Sequence, residues 1–369
     1  MNKKKFQTFF EFGFSKIRAS TFNKNNPDEV FFAESELLIS HSNLELETQK
    51  IISSFEKDTN EYIDSINFMV DSPKMLSIAI SVSKKLEGSK LKQSNVQFLI
   101  QEAKQQILKY NKDLSVAHII INNYKIDDIN YSYLPDIIEC HCISLDILFI
   151  CLPSDLILYF KNIFSKSNIL INQIMCSSYA KAVSYKDNLN LYEDISFIDI
   201  GFNKTSITTY IHNKISSLNV LPIGGNHITQ DISKVLSIGL ENAENLKISF
   251  NKNKNFLESK NISSDLLQKV ILARTEEIIE ICSQFIDSNL IATNQLKIIL
   301  MGEGAKILDK QNKDNFFPKC NTDFLEETTK DICQSGFKLG LGINKQEVIV
   351  IPKKVIKQGF FEKLFHLFK

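Results

Sequence analysis

Apolar and polar positions follow two different rhythms along the chain. Strand-like runs open it: Thr8–Ala19 reads as two strands about a turn at Gly13, and Phe31–Ile39 adds a third. Thr48–Ile66 changes to helical spacing, with Ile51, Ile52, Phe55, Tyr62, Ile63 and Ile66 on one side. Phe68–Val70 and Leu76–Val82 return to strand. Lys84–Lys92 is polar and is read as a linker or domain entry. Helices are predicted over Asn95–Tyr110, Asp155–Phe164 and Tyr179–Val183, and strands over His118–Tyr124, Ile143–Leu152 and Asn168–Met175. This alternation predicts a compact inserted α+β subdomain.

The stretch from Ile195 to Asp231 organises the rest. Phe197–Ile200 is an apolar strand broken by Asp199 and followed at once by Gly201; Thr205–Ile211 is the returning strand of a hairpin. Leu221–Ile223 leads to Gly224–Gly225 and a helix. An acid at the end of a buried strand, facing a tight turn, is where a fold holds Mg²⁺ or a water beside a phosphate; an acidic hairpin corner is the plainer reading. Asp231–Lys247 and Ser264–Ile286 read as helices. Leu296–Met301 is a strand entering the Gly302–Ala305 turn, whose backbone N–H groups suit an anion or a base. Asp331–Phe337 is predicted to be a helix released by Gly336, and Glu347–Ile351 a short strand.

Composition narrows the classes. The 369 residues suffice for two or more domains or lobes. Basic and acidic residues balance at 43 each, which argues against a general nucleic-acid binder. Of the 12 glycines, only Gly13 and Gly88 precede residue 200, so close backbone approaches concentrate in the second half. The seven cysteines show no spaced framework, and no secretory leader is read, so a reducing cytoplasm is expected. Cys140–His141–Cys142 has no second ligand pair and reads as buried structure, not a zinc site. No apolar run reaches the roughly 18 residues of a membrane span.

The last residues, Gly359–Lys369, form a separate pattern. On a helix Phe360, Phe361, Leu364, Phe365, Leu367 and Phe368 fill an arc of roughly 160°, with Glu362, Lys363, His366 and Lys369 opposite. With the preceding lysines, this predicts a helix lying in the interface of an anionic membrane. Docking of that helix on the protein's own core is the alternative.

Five segments carry a resemblance, among them Thr8–Ala19, similar to the FtsA family's first phosphate segment, and His118–Tyr185, similar to its inserted subdomain. Leu221–Lys247 (LPIGGNHITQDISKVLSIGLENAENLK) resembles the FtsA pattern of a GG-N/D-H-I-T-x-D-I run and a helix ending A-E-x-L-K. Arg274–Ile279 resembles the family's R-x-x-E-I helix, and Ile298–Ala305 its adenosine turn. The chain is thus similar to the bacterial cell-division family FtsA, of the actin/Hsp70 ATPase superfamily. The resemblance implies an α/β, actin-like two-lobed fold with an inserted α+β subdomain and a C-terminal amphipathic helix. The expected divisions are a first lobe over 1–83, an insertion over 84–176 and a return over 177–196. A second lobe follows over 197–345, with a reduced partner-binding part near 225–290, then a linker over 346–358 and the membrane helix over 359–369.

The resemblance also implies a site for ATP and Mg²⁺. Gly13, Ser15 and Lys16 match the first phosphate loop; Asp199, Gly201, Lys204 and Thr205 match the second, and Gly225 the turn after it. Glu244 and Lys247 would flank the adenosine, and Gly302, Glu303, Gly304 and Ala305 the base or ribose. Glu11 and Asp199 would face the metal. The departures are Glu11 for the usual Asp, Phe14 for Thr, and Phe202, Asn203 and Glu303 where the family has glycine. They hinder backbone approach to phosphate, and they make a nucleotide-binding scaffold a better expectation than an efficient ATPase. No catalytic residue is assigned. Implied partners are FtsZ, further copies of the chain, other division proteins and anionic lipids, at the cytoplasmic face of the inner membrane and the septum. An actin-fold ATPase or kinase, or a filament protein of another actin-like family, is the alternative.

Overall fold

The computed structural model describes residues 5–26, 28–37, 44–135, 139–189, 194–250, 263–286, 296–308, 316–341 and 347–348. Within them, two sheets repeat one plan. The first is ordered β3 (Val30–Glu36), β2 (Lys16–Asn23), β1 (Phe6–Phe12), β4 (Ser65–Val70), β9 (Leu170–Cys176). The second is ordered β12 (Lys214–Leu221), β11 (Thr205–Ile211), β10 (Asp194–Ile200), β13 (Leu296–Met301), β14 (Asn321–Phe324). In each, an antiparallel meander of three strands continues through its first strand into two parallel strands.

Both faces of these sheets are covered, which is why the central strands read as apolar runs and not as an alternation. Along β10 and β13, Ile195, Phe197, Ile299 and Met301 join a core running through the first lobe, while Ile198, Ile200, Ile298 and Leu300 join a second core. That second core is closed by α5 (Gly225–Leu236), α6 (Leu240–Ser249) and α7 (Ser264–Gln284). The first lobe is clad by α1 (Leu44–Thr59) and α3 (Ser154–Lys166), whose Phe160 and Phe164 pack on Phe12. Helix α4 (Ser177–Asn188) leads from β9 into β10, and α8 (Thr329–Gly340) returns from β14 to the first lobe. Gly336 lies inside α8, where it does not end the helix as its type suggested. A Cβ there would collide with Met69 and stand 3.1 Å from Phe9, so the glycine lets the helix sit down on the sheet.

A third sheet carries the insertion: β5 (Leu76–Lys90), β8 (Glu139–Pro153), β6 (Leu114–Ile126) and β15 (Glu347–Val348), with β7 (Ile129–Tyr131) paired to β6. Helix α2 (Gln93–Tyr110) buries Val96, Leu99, Ile100, Ala103 and Ile107 against it. Apart from β15, the inserted sheet thus spans 76–153, where 84–176 is expected from the sequence. Lys84–Lys92 is no linker: β5 continues through Lys90 as an edge strand with a bulge between Lys85 and Ser89. Its polar residues suit an exposed edge. At the other boundary, β9 pairs in parallel with β4 and belongs to the first lobe. The predicted helix through Ile66 stops at Thr59, because Asn60 turns into the left-handed region and releases the chain into β4. Likewise α5 and α6 are separate helices, broken at Ser237 with φ 53°.

Among the described residues no helix is long and apolar enough to cross a membrane. The predicted terminal helix, with Phe360, Phe361, Lys363, Leu364, Phe365, Leu367, Phe368 and Lys369, lies outside the described residues.

Candidate functional site

The two sheets point the same hairpin at a cleft between the lobes. Its tip is Glu11-Phe12-Gly13-Phe14-Ser15-Lys16 in the first lobe and Asp199-Ile200-Gly201-Phe202-Asn203-Lys204 in the second. Both are an acid, an apolar residue, Gly, Phe, a polar residue and Lys. Both turns close alike, with Gly13 N–H donating to the Lys16 carbonyl at 2.9 Å and Gly201 N–H to the Lys204 carbonyl at 2.8 Å. The cleft between them holds about 250 Å³.

Of the residues expected at a nucleotide site, Glu11, Gly13, Ser15, Asp199, Gly201, Lys204, Gly302, Glu303 and Ala305 line this cleft. The others do not. Lys16 turns out to Glu34 and Glu36 at 3.9 and 3.7 Å, and the buried Thr205 hydroxyl donates to the Ile223 carbonyl. Gly304 is packed on the backbone of Ile200 and Gly201, where a Cβ would stand 2.7 Å from the Ile200 carbonyl. Lys247 spends its three N–H groups on Gly225 O, Thr229 Oγ1 and Glu244 Oε2, at 3.0, 2.8 and 2.6 Å. Gly225, Glu244 and Lys247 thus form their own network beside the Phe202 ring, 5.6 Å from Lys247 Nζ.

Four residues that the sequence reading passed over control the electrostatics. Lys181, on α4, donates to Asp199 Oδ2 at 2.5 Å and lies 3.0 Å from Glu327 Oε1. Burial opposes its charge, but Asp199 and Glu327 outweigh that and hold its pKa above the usual lysine value. Burial pushes the Glu327 carboxyl up, although Lys181 and the Tyr185 hydroxyl, 2.7 Å away, oppose the shift. Arg18 faces Glu11 across the strands at 2.9 Å and reaches Glu303 at 3.5 Å; these acids overcome its burial and raise its pKa. Asp71, at the end of β4, takes Lys204 at 3.6 Å and two contacts from the Ser178 N–H. Burial would raise the Asp71 pKa, yet Lys204, the Cys176 thiol and Ser178 hold it below the ordinary 3.8. A signal for Lys181 existed: it is the one cation inside SSYAKAVSY, a segment otherwise too apolar and small to need one. Asp71 follows its strand almost as Asp199 ends its own.

The match with "Cell division protein FtsA" covers residues 196–304, from β10 through the turn that closes the cleft. In this segment the chain is similar to FtsA, as a divergent relative. It is 29% identical over 233 residues to the FtsA of Buchnera aphidicola subsp. Acyrthosiphon pisum, covering 54% of this chain and 55% of that protein. To the FtsA of Neisseria meningitidis serogroup B it is 34% identical over 124 residues, 29% of this chain and 30% of that one. Among solved structures, a chain of the PilM-PilN type IV pilus biogenesis complex shares the fold, with TM-score 0.62 at 12% identity over 91% of this chain and 96% of that one. The chain spans about half the length of the first curated relatives it matches.

The nucleotide site expected from the sequence is tested for this chain by the donors in the cleft. The cleft is lined by six carboxylates against four cations. All four cations are in ion pairs: Arg18, Lys181 and Lys204 as above, and Lys306 with Glu303 at 2.8 Å. The start of α5 is used as well, since Gly225 N–H donates to the Gly201 carbonyl at 2.9 Å and Asn226 N–H to the Phe202 carbonyl at 2.7 Å. A helix N-terminus that elsewhere meets an anion here caps a hairpin. The two proposed metal carboxylates, Glu11 and Asp199, hold a guanidinium and an ammonium. The residues of this cleft do not fit a magnesium–nucleoside triphosphate.

Proposed function

We propose that the chain is a scaffold of the bacterial division ring, a membrane adaptor that tethers FtsZ filaments to the inner membrane and self-associates. The observation that carries this reading is the FtsA match across the second lobe, from β10 to the Gly302–Ala305 turn. It is supported by the two-lobed plan with a sheet inserted between β4 and β9. The basic, Phe-rich sequence of Gly359–Lys369 would supply the contact with anionic lipid at the cytoplasmic face, at the septum. Each lipid and protein contact is weak, and lining up copies on a filament multiplies them. Other division proteins would join through the same assembly. The reading makes the chain a scaffold rather than an ATPase or kinase, and it is supported by Lys181 holding both Asp199 and Glu327, two acids of the cleft.

Co-sedimentation with anionic liposomes tests it, comparing the full chain with one ended at Gln358, with and without FtsZ. Pelleting lost on truncation, with FtsZ carried down only by the full chain, supports the tether. Equal pelleting of both forms sinks the membrane role, and FtsZ left in solution beside lipid-bound protein sinks the adaptor role.

A further inference from the structure

Three charged contacts cross the cleft from one lobe to the other at separate points. Lys204, from the second-lobe hairpin, reaches the Asp71 carbonyl at 3.1 Å and its carboxylate at 3.6 Å, at the end of β4 in the first lobe. Arg18, from β2 in the first lobe, reaches Glu303 in the second. Lys181, on the helix joining the lobes, grips Asp199 at the end of β10 and Glu327 on the return to α8. The aromatic rings reinforce the same crossing: Lys204 Nζ lies 5.9 Å from the centre of the Phe14 ring, on the opposite lobe. In a fold that closes on a nucleotide, the phosphates and their metal ion bridge the two hairpins. Here side chains of the protein span that gap.

We infer that the cleft is an intramolecular clamp: the chain's own ammonium and guanidinium groups take the bridging role of a metal–nucleotide, and the lobes stay closed without one. This rests on the scaffold reading and deepens it, since such a scaffold assembles regardless of nucleotide. Three features agree with it. The carboxylates that would repel a phosphate chain are neutralised in place, with Arg18 on Glu11 and Lys181 on Asp199. The N–H groups at the start of α5 that would cradle phosphate cap the turn of the second-lobe hairpin instead. Phe14 and Phe202 replace the small residues that would let backbone approach a phosphate, and Lys247 is drawn onto Phe202, Thr229 and Glu244, away from any ligand. Entry of a nucleotide would require breaking several buried ion pairs at once, which leaves uncompensated charge in a low-dielectric site.

The test uses the full chain. Fluorescent ATP analogue binding and thermal melting are measured with and without Mg²⁺, up to about 1 mM nucleotide. The expected result is no saturable binding and a melting temperature unchanged within about 1 °C; a protein saturated a hundredfold above its Kd would gain several degrees. Saturable binding with a matching rise in melting temperature overturns the clamp. A second arm is independent of ligand: the cycle Lys204→Met, Asp71→Asn and the double variant. The clamp predicts that the double variant melts higher than the sum of the single losses, and strict additivity overturns it. The liposome assay is run beside both arms on the same protein. Loss of lipid or FtsZ binding there ends the scaffold reading, whereas nucleotide binding with lipid and FtsZ retained ends the clamp alone.

Discussion

The hairpins of the two lobes share a tip sequence and a turn geometry, yet their acids are neutralised by different routes. In the first lobe Glu11 meets Arg18, which sits directly across the same hairpin. In the second lobe the residue opposite Asp199 is Ser206, too short and uncharged, and the cation comes from α4 as Lys181. The first arrangement is local and is fixed by strand register alone. The second depends on a helix packed over the same face of the sheet as Ile195 and Phe197. The hairpin lysines divide in the same way: Lys16 points to exposed acids on β3, whereas Lys204 is drawn across the cleft to the buried Asp71. A duplicated local motif thus serves an intralobe role once and an interlobe role once, and what differs is the surroundings.

This contrast orders the expected effects. Lys181→Met leaves Asp199 and Glu327 buried without their cation and should cost about 3–5 kcal/mol in chemical denaturation. Arg18→Met should cost less, because it strips one buried acid, Glu11, while Glu303 is 39% exposed and can turn to solvent and Lys306. Equal losses would show that the two acids are held alike after all. Next, Lys204→Met should cost about 2–3 kcal/mol, as it strips a buried carboxylate, while Lys16→Met should stay within about 0.5 kcal/mol because its partners are exposed.

Acid tests the Lys204–Asp71 contact without mutation. The folded Asp71 pKa is depressed, so its stabilisation is complete above the ordinary value of 3.8 and is lost as pH falls through the lower folded value. Glu303 is depressed too: burial opposes this, but the hydrogen bond and charge of Lys306 outweigh it, and the sign is the same. Stability should therefore fall as pH drops below about 4, and less steeply in Asp71→Asn. A parallel pH curve for that variant would remove Asp71 from the account. Small effects should also come from Gly13→Ala and Gly201→Ala. In each the new Cβ stands 3.0 Å from the carbonyl of the lysine three residues on, so both should lose a similar amount, about 1 kcal/mol. A clear inequality would break the equivalence of the two turns.

Much of this was legible before folding. The parallel strands announced themselves as apolar runs, and the face of α2 was read residue for residue from its 3.6-residue spacing. The acid–turn pairs at Glu11 and Asp199 were visible as candidate chemistry. The edge strand through Lys90 was not, because a strand solvated on one side and paired only to β8 has the polarity of a linker. Gly336 misled for a related reason: glycine's absent side chain marks either a helix end or a close approach, and only Met69 and Phe9 decide between them.

The amino-acid order by itself determined the strands, the turns, the duplicated hairpin tip and the family likeness, since each depends on neighbours within a few residues. Tertiary structure decided which cation meets which acid. Lys181 and Asp199 are 18 residues apart, Arg18 and Glu303 285, and Lys204 and Asp71 133. No periodicity links such positions. They meet because helices bury both faces of each sheet, and a carboxylate taken out of water there is stable only with a partner that the fold brings to it.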